Sequence, residues 1–369
     1  MALSVDPFNG FMDMRANSLG GSNPAFAEGF SAMLTNPASL AVAKPGFSAA
    51  RLDLALAGPV FDIASLALSK NLTTAGFASF LSQNNNKLYT AVDLSGPIAL
   101  GYLGDGLGFG IFENTSGLIN ISSMSRIKIA VTEELLIVGG YGFRVDLGAS
   151  NALDFGLIAK GFIRGSTGIS GGIMDLYSLM GSSSDIMSEL MGQPFTLTTG
   201  IGVDLGMRWS WAKLLSVGIS CKDAYSPALV STFSSIAGFA ASPSASRVGA
   251  PATGLIEPNL AAGVVVTPPL GIFGRVLDGL VISVDYDHIL DLAKPVSRNA
   301  ILNVGLGLEA RVLEVLTLRV GIKDALLQAG IDYDLGVARV GVSAWGAELG
   351  YEPGSRSVYN LLLGIDFVY

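Results

Sequence analysis

The chain has 369 residues, of which 50% are hydrophobic and only 14% charged, where about 25% charged is usual for a soluble domain. Its net charge of −8 excludes a nucleic-acid surface, and its single cysteine, Cys221, excludes an intramolecular disulfide. A spanning helix needs about 20 apolar residues in a row, yet Gly, Ser, Asp, Asn, Lys or Arg interrupts every apolar stretch within a few residues. Lipid accepts only helices and closed barrels, because every backbone polar group must be paired. A hydrophobic chain with 47 Gly and no such helix therefore reads as an all-β membrane protein, an antiparallel transmembrane β-barrel. A soluble β-rich protein with a greasy core is the alternative.

Met1-Ala2-Leu3-Ser4-Val5-Asp6 carries no basic n-region and no apolar h-region. We expect the numbering of a mature protein whose start Met stands where a signal was removed. Residues 1–45 do not read as a strand. Small residues with spaced aromatics run through Ser18-Leu19-Gly20-Gly21, Asn23-Pro24-Ala25-Phe26-Ala27-Glu28-Gly29-Phe30-Ser31-Ala32 and Asn36-Pro37-Ala38-Ser39-Leu40-Ala41. The Asn-Pro steps favour turns, since Pro fixes its own φ and pushes the preceding residue out of the helical region. The expected division is a compact plug over 1–45 and a barrel over 46–369.

Strands are expected near 46–56, 88–103, 106–116, 134–146, 151–163, 195–209, 214–222, 259–267, 279–288, 299–312, 314–323, 327–335, 337–349 and 357–369. They number about 14, and a closed bacterial barrel needs an even number. The signal is period-two alternation. Over 197–209 the odd positions hold Leu197, Thr199, Ile201, Val203, Leu205, Met207 and Trp209, while Gly200, Gly202, Asp204, Gly206 and Arg208 fall on the even ones. Leu302, Val304, Leu306 and Leu308 oppose Asn303, Gly305, Gly307 and Glu309 in the same way, and Leu318, Val320 and Ile322 oppose Arg319, Gly321 and Lys323. One face suits lipid, and the other a narrow, hydrated or plugged lumen. The last strand puts Tyr359, Leu361, Leu363, Ile365, Phe367 and Tyr369 on one face, and its partner across the seam should be 46–56. Connections should alternate between long outer loops and short turns. Segments 61–81 and 173–191 look partly helical, and 223–258, rich in Ser, Ala, Gly and Pro, reads as a mobile connection.

Enzymatic chemistry is not expected. Gly104-Asp105-Gly106-Leu107-Gly108-Phe109-Gly110 alternates strictly with no helix after it, so it reads as a hairpin and strand rather than a nucleotide loop. His288 is the only histidine, and with Asp285, Asp287 and Asp291 it makes a poor metal signal. No nucleophile elbow accompanies it. No catalytic residue, metal or cofactor is assigned.

Leu19-Gly20-Gly21, Glu28-Gly29-Phe30-Ser31-Ala32 and, above all, Asn36-Pro37-Ala38-Ser39-Leu40 resemble the N-terminal hatch of the long-chain fatty-acid transporter (FadL-type) family of outer-membrane proteins, with its Asn-Pro-Ala box before the first strand. The resemblance implies a fourteen-stranded barrel with the hatch in its lumen. It also implies passive outer-membrane transport of hydrophobic small molecules, long-chain fatty acids first, with lateral exit into the membrane. The implied location is the bacterial outer membrane, and the implied partners are a fatty acid or other hydrophobic ligand, membrane lipid and the barrel-assembly machinery. A barrel serving as a surface or secretion-system partner without transport is the alternative. Asn36, Pro37 and Ala38 become hatch or gating residues. Phe26 and Phe30 either contact ligand or fill the plug. By strand parity, Arg144, Arg208, Arg319 and Lys323 either hold a carboxylate head in the lumen or pair with lumen acids such as Asp146, Asp204 or Glu309.

Overall fold

The computed structural model describes residues 3–5, 13–21, 23–60, 62, 65, 68, 74–123, 125–172, 174–175 and 186–368. Its strands are β1 (Leu3–Val5), β2 (Gly46–Ala57), β3 (Leu88–Gly104), β4 (Leu107–Ser123), β5 (Arg126–Gly148), β6 (Asn151–Gly171), β7 (Phe195–Trp211), β8 (Leu215–Tyr225) and β9 (Pro227–Phe233). They continue as β10 (Ala252–Ile256), β11 (Asn259–Val266), β12 (Leu277–Tyr286), β13 (Val304–Val312), β14 (Leu316–Lys323), β15 (Leu326–Asp334), β16 (Arg339–Glu348) and β17 (Ser357–Val368). Each barrel strand pairs antiparallel with its neighbour, β8 with β11, and β17 with β2. The ring of fourteen is β2–β8 and β11–β17. The seam runs from Asn360–Ala57 to Val368–Ser48, on the segment expected for it; Tyr369 lies outside the described residues.

The alternation seen in the sequence sorts side chains as lipid requires. Leu205, Leu306, Leu308, Val320, Ile322 and Leu363 are exposed on the outside, while Asp204, Arg208, Glu309 and Arg319 are buried inside. At the end carrying the tight turns, Phe47, Tyr102, Phe109, Tyr141, Phe143, Trp211, Tyr333 and Phe367 are exposed and form an aromatic girdle.

Three features depart from the alternating loop pattern. First, β4 and β5 run on to Ser123 and Arg126, and β14 and β15 meet at Asp324-Ala325, so two outer connections are tight turns. Second, the 223–258 segment is not a mobile connection. β9 extends β8 and pairs with the first half of β7, β10 returns along β9, and α-helices Ile236–Ala241 and Pro243–Ser246 cap the pair. Pro227 and Pro258 sit at the strand breaks, where a missing N–H costs no ladder bond. Third, residues Leu3–Val5 do form a strand, parallel to β10. Of the segments expected to be partly helical, Thr74–Gln83 and Ile186–Gly192 are α-helices; the remainder lies largely outside the described residues.

The wall is lopsided. β5 and β6 have 23 and 21 residues, whereas β13–β16 have 8 to 10. About 9–11 tilted residues cross a bilayer, so the tall side stands roughly 30 Å further out.

Candidate functional site

Residues 13–21 and 23–45 pack inside the ring. Asp13 N-caps the α-helix Met14–Leu19 by accepting from the Arg15 and Ala16 amides, and Gly20 ends it with φ +80. A second helix, Ser31–Thr35, leads to Asn36 and a 3-10 turn over Pro37–Val42. The wall meets this segment with glycine. A Cβ on Gly156 would lie 2.1 Å from the Pro37 carbonyl carbon, and one on Gly206 would lie 2.0 Å from Asn36 Oδ1. Gly218 meets Pro24 in the same way, and Gly305, Gly307 and Gly321 meet Leu19 and Gly20. Backbone rests on backbone around the lumen. This contact is the physical reason for much of the glycine in the strands.

Asn36 is fully buried. Its Nδ2 donates to the Pro24 carbonyl at 2.5 Å and to the wall carbonyls of Met207 and Ile219 at 3.4 Å, and its Oδ1 accepts from the Ala38 amide at 3.0 Å. Pro37 opens the 3-10 turn and, like Ala38, is buried. Phe26 lies under the Arg15 guanidinium, 3.8 Å from the ring centre, and against Ala25, Val265 and Val281. Phe30 packs on a different cluster, which contains Met33, Leu40, Ala99, Phe112, Leu136, Val138, Ile158 and Phe162.

Arg144 and Arg208 are brought together by a residue the sequence reading missed. Asp154, fully buried, stands directly between them across two ladders. It accepts from Arg144 Nε at 2.7 Å and from Arg208 Nη2 at 2.8 Å. Arg319 is elsewhere, joined to Glu309 at 2.7 Å and to Asp332. Arg15 also reaches Glu309, at 2.8 Å, which ties the N-terminal segment to β13. Lys323 pairs with Asp287 and donates to the Asn303 carbonyl at 3.2 Å. All four cations therefore hold a carboxylate, and they do not converge on one point. Asp204 serves Lys160, at 2.8 Å, rather than Arg208.

Lys222 was also missed. It is half-buried, near Asp204, Asp287, Asp223 and Lys160, and among the described residues no carboxylate lies within ion-pair distance of it. Strand parity from Gly218 and Ser220 would have found it. Below the segment, at the turn end, a cavity of about 530 Å3 is lined by Asp13, Arg15, Phe26, Phe30, Arg339 and Asp366 among others.

The wall has two irregularities beside these groups. The β2–β3 ladder breaks between the pairs Ser48–Gly101 and Asp53–Ser95, next to Ala99 and Phe30. The β7–β8 ladder shifts between Val203–Tyr225 and Leu205–Cys221. Outside this second shift, two apolar grooves of about 600 and 450 Å3 share Ile137, Gly161, Ile201 and Pro227.

The toluene transporter TbuX of Ralstonia pickettii shares this architecture over 97% of both chains, at 14% identity and a TM-score of 0.50. The fold is that of the FadL-type barrels. The toluene transporter TodX of Pseudomonas putida aligns over 96% of this chain and 98% of its own, at 12% identity and a TM-score of 0.48. A FadL homologue of Pseudomonas aeruginosa aligns over 96% of each chain at 12% identity and a TM-score of 0.42. No protein-family model and no curated protein matches the sequence. At these identities the FadL-type likeness is one of fold, and what the site does has to be argued from its own residues.

Proposed function

We propose that the chain carries hydrophobic small molecules into a bacterial cell by passive uptake through its outer membrane. One observation carries this reading: the lumen wall of β4–β6 is lined with Phe112, Leu136, Val138, Ile158 and Phe162, in one apolar cluster with Phe30 of the N-terminal segment. A lumen meant only for water and ions would keep polar groups there. Each buried methylene favours leaving water by about 0.8 kcal/mol, so such a wall draws greasy cargo in. Residues 1–45 act as the hatch, with Asn36, Pro37 and Ala38 setting its seat. The ladder break between β2 and β3 supports a lateral exit, because it lies beside Phe30 on the lumen side and beside Leu52, Ile98 and Leu100 on the lipid face. An exit there releases cargo into lipid without re-hydrating it. The toluene transporters TbuX and TodX have the same fold, which agrees with cargo lacking a charged head.

Long-chain fatty acids are the second reading, and Lys222 favours it. Its ammonium is a lumen cation with no carboxylate in ion-pair distance among the described residues, so it suits a fatty-acid head. Equilibrium binding of a fluorescent hydrophobic probe to the detergent-purified barrel, displaced by toluene or by palmitate, tests both readings. Saturable binding weakened by Phe162→Glu is expected. Displacement by palmitate that is lost in Lys222→Gln, with toluene displacement intact, selects fatty acids. No saturable binding by an intact barrel refutes transport and favours a role as a surface or secretion-system partner.

A further inference from the structure

Asp285 of β12 faces the lumen opposite Gly263 of β11 and Gly305 of β13, and only 2% of it is exposed. Neither carboxylate oxygen has a hydrogen-bond partner. The backbone N–H of Asn23 lies nearby without reaching hydrogen-bond geometry. The neighbouring ammonium, Lys323, is taken by Asp287 and the Asn303 carbonyl. The carboxylate is wedged between glycines, since a Cβ on Gly263 would lie 2.2 Å from Oδ1 and one on Gly21 would lie 2.8 Å from Oδ2. A buried carboxylate whose oxygens accept no hydrogen bond and whose nearest ammonium is held by another acid is costly.

The groups around it are also oxygens. Asn23 spends its Nδ2 on the Gly21 carbonyl at 2.7 Å, and its buried Oδ1 has no partner. Ser283, two residues before Asp285 on the same face, has a buried Oγ with no partner. The Leu19 and Gly20 carbonyl oxygens point at β13 beside them, 2.3 and 1.9 Å from where Cβ atoms of Gly307 and Gly305 would stand. One carboxylate with amide, hydroxyl and main-chain oxygens is the ligand set of a hard cation.

We propose that the oxygens gathered between β12 and Leu19, Gly20 and Asn23 bind a hard cation of the sodium or calcium type. Asp285 supplies the charge, and Asn23, Ser283 and the carbonyls of Leu19 and Gly20 complete the shell. Bound there, the ion joins the N-terminal segment to the wall at a point the ion pairs of Arg15 do not reach. The site stands whether or not the barrel transports anything.

The test uses full-length barrel in detergent, stripped with EDTA and exchanged into a choline buffer. Sodium, potassium, magnesium and calcium chlorides are then added separately. Thermal unfolding is followed, and bound cation is counted by atomic absorption after gel filtration. Wild type should take up one sodium or calcium ion per barrel with a saturable rise in Tm, and Asp285→Asn should lose both. If Asp285→Asn fails to fold, Ser283→Ala and Asn23→Ala carry the test, each raising the half-saturating concentration at least about tenfold. Wild type that binds none of these ions, or Asp285→Asn that binds equally, overturns the proposal. A higher Tm for Asp285→Asn without any cation effect also overturns it, and identifies a carboxyl that carries a proton.

Discussion

Gly156→Leu is the sharpest probe of how the N-terminal segment is seated. A Cβ there meets the carbonyl carbon and oxygen of Pro37 at 2.1 Å and the Ala38 amide nitrogen at 2.4 Å. Ordinary heavy-atom contacts lie near 3.5–4.0 Å, so the Pro37-Ala38 turn has to move by about 1.5 Å. That shift breaks the 3.0 Å bond from the Ala38 amide to Asn36 and the 2.5 Å bond from Asn36 to Pro24, each worth about 1 kcal/mol. Overpacking adds about 1–3 kcal/mol. The seated state should therefore lose roughly 3–5 kcal/mol, or two to three and a half orders of magnitude in its equilibrium with an unseated one. Hydrogen exchange over residues 33–43 should accelerate by that factor, while exchange in β6 and the heat-modifiable migration of the barrel stay unchanged. Gly139→Leu is the control, because nothing lies within 4 Å of a Cβ at that outward-facing position. Protection over 33–43 that survives in Gly156→Leu would refute the claim that the segment rests on wall glycine.

Asp154→Asn removes the carboxylate shared by Arg144 and the buried Arg208 and should cost roughly 3 kcal/mol, read as a lower urea midpoint for refolding into vesicles; an unchanged midpoint rejects the triad as a structural element. At Asp13, burial pushes the carboxyl up, but Arg51, the Ser31 hydroxyl and Arg15 together hold it below the usual aspartate value. A depressed folded-state pKa gives stability that is complete above the unfolded value and lost as pH falls through the folded one. The stability gap between wild type and Asp13→Ala, followed by urea unfolding, should thus persist from neutral pH down to the ordinary aspartate range and close only in stronger acid. Val320→Arg, on the exposed outer face, should destabilise the barrel in vesicles by about 2–4 kcal/mol; no effect would mean that this face does not meet lipid.

Much of the wall was legible because most strands have one apolar face and one small or charged face, so parity alone separates Val320 from Arg319. Parity says nothing about what stands opposite. That is why Asp154, which holds two of the four cations, was not among the expected acids; Asp204 holds Lys160 instead, whereas Glu309 does hold Arg319. The tight turn at Ala149-Ser150 would by itself set Arg144 opposite Phe155, and the bulge between Asp146 and Gly148 brings Asp154 there instead. The Ser- and Pro-rich stretch after Lys222 misled for a different reason. Pro227 and Pro258 mark breaks inside continuing strands, and composition cannot tell a break from an end. The apolar lumen wall was hidden because Phe112, Leu136 and Phe162 fill positions that elsewhere in the ring hold glycine. Only the fold shows which face turns inward.

The seam between β2 and β17 also holds Asp13 and Met14 of the N-terminal segment. Asp13 answers to Arg51 of β2, and the Met14 side chain rests against Gly364 of β17, which the ladder places opposite Asp53. Residues some 300 positions apart must meet before that contact exists, and such long-range pairing is the slow part of folding. An unfinished ring, still lacking its last strand, offers Met14 only the Gly341 side of its seat on β16 and leaves the Gly364 side open. Closing the ring and completing the seat of Asp13 and Met14 are thereby one event: the last strand both ends the wall and finishes the surface on which this part of the N-terminal segment rests.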